Sequence, residues 1–74
     1  MEGAIGVLFE QGSGKWLELI PQNARFHSDK SMATTVPREV FEDAVRRSQF
    51  LDRHNVDWYA ASIVWQPVNP EFRA

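Results

Sequence analysis

Four groupings of residues carry side-chain types that chemistry uses. His27-Ser28-Asp29 holds the groups of a nucleophilic triad, Gly12-Ser13-Gly14-Lys15 is a short glycine-rich run ending in a cation, Glu39, Glu42 and Asp43 cluster as carboxylates, and His27 and His54 are the two imidazoles. Spacing argues against each. Neighbours in a chain splay apart and do not align as nucleophile, base and orienter, so 27–29 reads as a polar loop with an Asp-type turn. A phosphate loop needs its full glycine spacing and a helix directly after it, whereas the run at 12–15 lies between two strand-like stretches and reads as a hairpin turn. The three carboxylates fall at the start of a helix-like segment, where they match the positive end of its dipole in water. Two histidines without a shared spacing, in a chain with no cysteine, form no ligand pattern for a metal. The expectation is a non-enzymatic protein with no catalytic, cofactor or metal site.

The segment that must position any surface this chain uses is residues 37–55 (PREVFEDAVRRSQFLDRHN), which alone has a clear helical period. Pro37 suits the first helical position, where its missing N–H costs no bond. Acidic residues come early and Arg46, Arg47 and Arg53 late, which fits the dipole, and Glu42 with Arg46 and Asp43 with Arg47 stand at i,i+4. Asn55 is a left-handed stop. On one continuous wheel Val40, Phe41, Ala44, Val45, Ser48 and Leu51 form the core stripe. Phe50 falls opposite, ringed by Arg46, Arg47, Arg53 and His54.

The remaining elements read as strands. Residues 3–11 and 15–20 form a hairpin in which Glu10 faces Lys15 and Phe9 faces Trp16, an ion pair and an aromatic pair that favour this register. Alternation puts Ile5, Val7, Phe9, Trp16 and Ile20 on one face and Ala4, Gly6, Leu8, Leu17 and Leu19 on the other. Both faces are apolar, and the sequence does not say which takes the helix. For residues 22–36 two readings stand: a short edge strand at 32–36, rich in β-branched residues, or a functional loop at 23–31. Residues 56–65 (VDWYAASIVW) form the last strand, beside the first and antiparallel to it, with Pro67 as its stop. The fold class is therefore α+β: a small antiparallel sheet in order 2-1-3 with a single helix on one face. One domain spans residues 1–66, and 67–74 form an extended proline-containing tail.

Composition narrows the function classes. At 74 residues a single core leaves roughly 3–5 kcal/mol of net stability, so burial against another chain is favoured, most simply as a two-fold homodimer. Globular proportions, 43% hydrophobic and 24% charged, exclude a disordered chain, and a net charge of −2 argues against a dedicated nucleic-acid binder. The start of the chain lacks a signal-peptide pattern and the apolar run at 4–9 is too short to span a bilayer, so the expected location is the cytoplasm.

Two surfaces stand out. One helix covers one sheet face, which leaves aromatic surface over on the other, with Phe9, Trp16, Trp58 and Trp65 as its candidate contact residues. The outer helix face offers Phe50 with Arg46, Arg47, Arg53 and His54, the composition of a binding hot spot. The leading expectation is a small protein-interaction module, an inhibitor of the kind phages and other mobile elements encode, acting by steric occlusion. The rival is a nucleic-acid binder that stacks bases on the sheet aromatics and places the helix arginines on phosphates.

Overall fold

The computed structural model describes residues 4–56 and 62–69. In order these form β1 (Ile5–Glu10), β2 (Lys15–Ile20), β3 (Asn23–His27), a 3₁₀ turn (Lys30–Met32), β4 (Thr35–Pro37), α1 (Arg38–Glu42), α2 (Ala44–Arg53) and β5 (Ile63–Pro67). The architecture is α+β, with a five-stranded antiparallel sheet in which β1 is the hub. β5 lies along one edge of β1. The opposite edge is shared, with β2 beside Phe9 and Glu10 and β4 beside Ile5, Gly6 and Val7. β3 pairs with the far edge of β2.

The hairpin register follows the expected side-chain pairs, Phe9 opposite Trp16 and Glu10 opposite Lys15. Its loop is four residues long, closed by the Gly14 N–H donating to the Glu10 carbonyl at 2.9 Å, and Gly14 has φ 70°, which glycine adopts without a Cβ clash. The expected last strand also lies antiparallel beside β1, so β2-β1-β5 reproduces the order 2-1-3. It is shifted toward the C-terminus: Val56 is a buried core residue, residues 57–61 lie outside the described set, and Pro67 is the strand's last residue. Val68 donates to the Ile5 carbonyl, which leaves Pro67 turned to the outer edge, where a missing N–H costs the sheet no bond.

Three expectations are corrected. The loop at 23–31 is half strand, because Pro21 and Gln22, the latter at φ 61°, turn the chain back so that β3 pairs with β2 from Ile20↔Asn23 to Trp16↔His27. The edge strand expected at 32–36 begins later, at Thr35, and Pro37 ends it in an extended conformation and is not helical. The single helix is two. Asp43 is extended (φ −83°, ψ 116°), and its carboxylate accepts from Val45 N at 2.9 Å and Arg46 N at 3.1 Å. A short side chain that captures orphan amide donors starts a new helix, and α1 ends there. The expected pairs of Glu42 with Arg46 and Asp43 with Arg47 give way to this cap and to Arg38 with Glu42 at 3.7 Å.

The break resets the helical wheel. Leu51 is buried in the core with Leu8, Leu17, Val36 and Val56, while Val45 is 65% exposed and Ala44 is exposed too. The helices cover the Leu8, Leu17 and Leu19 face of the sheet. On that face Trp65 crosses β1 from β5 to β4 and donates its indole N–H to the Val36 carbonyl at 2.8 Å. It passes over Gly6, where a Cβ would overlap both the indole ring and the Gln66 carbonyl oxygen. Trp16 does the converse on the other face. Its indole N–H reaches Gln66 Oε1 at 3.1 Å, from β2 across β1 to β5, and Val7 beneath it is fully buried.

Asp29 caps the 3₁₀ turn, and the Ser31 hydroxyl and amide N–H that donate to it hold its carboxyl below the usual aspartate value. A lowered carboxyl favours the ordered turn above the unfolded value and loses that preference as pH falls through its own midpoint. An NMR titration should place the Asp29 midpoint below 3.8, and Ser31→Ala should move it upward. Gly6→Ala should cost roughly 3 kcal/mol through overpacking, a fall of well over about 10 °C in melting temperature for a domain of this size. Gly12→Ala, with open space at its Cβ, is the control and should be near neutral by the same thermal melt.

Candidate protein-binding surface

The residues expected to bind a partner are mostly spent on the fold. On α2 the side chains at positions 47, 50, 51 and 54 share one face at i, i+3, i+4 and i+7, and that face looks inward. Phe50 is half-buried and packs against the core, so the expectation that it points outward is wrong for the reason already given: the wheel does not run through Asp43. Arg47 stacks its guanidinium 5.0 Å from the centre of the Phe41 ring and donates from Nη1 to the Phe41 carbonyl at 3.0 Å, pinning α1 to α2 across the break. His54 lies edge-on to Phe50 at 5.4 Å and hydrogen-bonds through Nδ1 to the Ile20 carbonyl at 2.6 Å. A carbonyl can only accept, so Nδ1 carries the proton. Arg46 and Arg53 are exposed, as an outer helix face requires.

The sheet aromatics are committed as well. Phe9 and Trp16 close on each other at 5.0 Å with a 51° tilt, and Trp65 belongs to the helix-side core. Trp58 and the tail beyond Asn69 lie outside the described residues. The chemistry-bearing groupings are likewise dispersed. His27 Nε2 meets Glu18 Oε1 at 2.8 Å, Asp29 serves Ser31, and Ser13 donates to Glu10 in the hairpin loop. Among the described residues no three ligating side chains gather where a metal could sit.

Among the described residues the β3 edge is left open, and the helical reading of the sequence did not reach it. Phe26 is 43% exposed, more than any other aromatic among the described residues. Its cross-strand partner is the fully buried Leu17. Met32, 46% exposed, stands two residues before Thr34, whose N–H donates to the carbonyl of that same Leu17 at 3.1 Å. Arg25, exposed and next to Phe26 in β3, places a cation on the opposite sheet face. A signal for this surface was present in NARFH, where Ala24 and Phe26 alternate with Asn23, Arg25 and His27 at the period of a strand. No residue in it marks which apolar position an edge would leave uncovered.

Compared with known proteins, the chain matches no family model, no curated protein and no solved structure. Among the described residues no helix is long and apolar enough to cross a membrane.

Phe50→Ala should lower stability by about 2 kcal/mol, less than the 3–5 kcal/mol of a fully enclosed Phe because the ring is half-buried. Phe26→Ala should change it by less than about 0.5 kcal/mol. Urea unfolding of the two variants checks the ordering, and a Phe50→Ala midpoint equal to that of the parent chain would return that residue to the surface.

Proposed function

We propose that this chain is a non-catalytic protein-interaction module that works in the cytoplasm and inhibits a partner by occupying its surface. One observation carries the reading: Phe26 keeps much of its ring in water on an outer strand, while the other described aromatics are packed against their own fold. An aromatic left exposed on an outer strand, next in sequence to an exposed arginine on the other sheet face, has the composition of an interface anchor. Steric occlusion needs such a patch and no active site. A base-stacking role has less support, since Phe9 and Trp16 fill each other's faces and the Trp16 N–H is held by Gln66.

The test separates binding from folding. Phe26→Ser should keep the parent melting temperature within a few degrees and lower affinity for the purified partner by roughly 2 kcal/mol, about thirtyfold, by calorimetry. Partner binding by Phe26→Ser at parental affinity would overturn the assignment of this surface.

A further inference from the structure

The sheet ladder says what shape of partner the β3 edge accepts. In an antiparallel pair, residues whose N–H and C=O face the neighbour alternate with residues whose groups face away. On β2, Leu17 gives its carbonyl to Thr34 N at 3.1 Å and Leu19 gives its N–H to Thr34 Oγ1 at 2.8 Å, so both turn their backbone groups away from β3. Their cross-strand partners are Phe26 and Ala24. Those two residues must then turn their own N–H and C=O outward, to the free side of β3. The Ala24 N–H is covered by the Asn23 side-chain oxygen at 2.9 Å. Among the described residues Phe26 is thus the point on this edge where an open donor and an open acceptor coincide, under an exposed aromatic ring.

Natural sheets blunt such edges with proline, lysine or a bulge. β5, the outer strand beside β1, carries Pro67 turned to its free edge, whereas among the described residues the β3 edge has the Asn23 cover over Ala24 and no proline or lysine. Resting on the interaction-module reading, we infer that the partner binds by strand addition: an extended segment pairs antiparallel with β3, in register on Phe26. One guest residue exchanges both backbone bonds with Phe26 and places an apolar side chain against its ring. The next guest residue falls opposite Arg25 on the other sheet face and is acidic. Arg25 calls for that carboxylate, because the carboxylate across from it, Glu18, is engaged by His27 at 2.8 Å. The guest is an extended protein segment with an apolar residue followed by Asp or Glu, flanked by residues that favour a strand.

The experiment uses a phage-displayed library of random ten-residue peptides selected on the immobilised full chain, and then the strongest peptide made synthetically. Enriched peptides should share the apolar-acidic step. On addition of saturating peptide to the unmodified protein, hydrogen exchange of the Phe26 amide should slow at least about a hundredfold, the protection of a newly paired strand amide. Phe26→Pro, which deletes only an outward N–H from the backbone, should bind at least about tenfold more weakly than Phe26→Ala, which lacks the same ring. Replacing the acidic peptide residue by Lys should weaken binding about as much at low salt. Equal binding by Phe26→Pro and Phe26→Ala, both weaker than the parent, would overturn strand addition and leave the patch itself as the interface. Binding insensitive to both would remove strand addition and the patch together. A peptide-free chain that dimerises with its Phe26 amide already protected would give the edge to a second copy and overturn the acidic-segment inference, as would a selection that enriches no such peptide.

Discussion

β1 is held by the two indoles laid across it, and the rest of the fold depends on that arrangement. Trp65 passes over Gly6 on the helix side and Trp16 over Val7 on the other, each ending in a hydrogen bond to a strand beyond its own neighbour. Each therefore joins three strands. An indole that buries on the order of 150 Å² at about 25 cal/mol per Å² contributes close to 4 kcal/mol, as much as the whole net stability of a domain this small. The sheet has few other ways to close, since its hub strand shares one edge between two short partners.

That shared edge has its own cause. The β1–β2 ladder runs only through Glu10 and Phe9, because Thr34 enters and takes the Leu17 carbonyl that β1 would otherwise meet. β2 swings away carrying β3, and β4 fills the gap beside Gly6. The divergence allows Val36 and Leu51 to meet Leu8 and Leu17 in one cluster, and it leaves β3, with the exposed Phe26, as the outer strand beyond β2.

The surface that stays exposed is what the fold does not consume. Three described tryptophan and phenylalanine contacts bind strand to strand, and Phe50 with His54 binds α2 to the end of β2. Each of these side chains has a polar or aromatic partner that satisfies it where it lies. Among the described residues Phe26 has the core residue Leu17 across the ladder and no strand on its outer side. Function in such a chain is read from what is left uncovered.

Local rules in the sequence were enough for several features. Cross-strand chemistry set the hairpin register, the run expected at 56–65 marked a last strand beside β1 although the strand itself lies at Ile63–Pro67, and Asn55, at φ 58°, ends the helical segment as its side-chain type allows. The α+β class follows from those elements. The helix break was legible in principle, as an aspartate able to cap the turn after it, but an i,i+4 charge pattern runs through the same residues and hides it. That one residue moved Phe50 from the surface to the core. Tertiary structure alone decided the branch at Thr34, the crossing of Trp65 over Gly6 and the exposure of Phe26. The first two depend on contacts between residues 15 to 60 positions apart, and periodicity describes only which face a side chain takes, not what stands opposite that face.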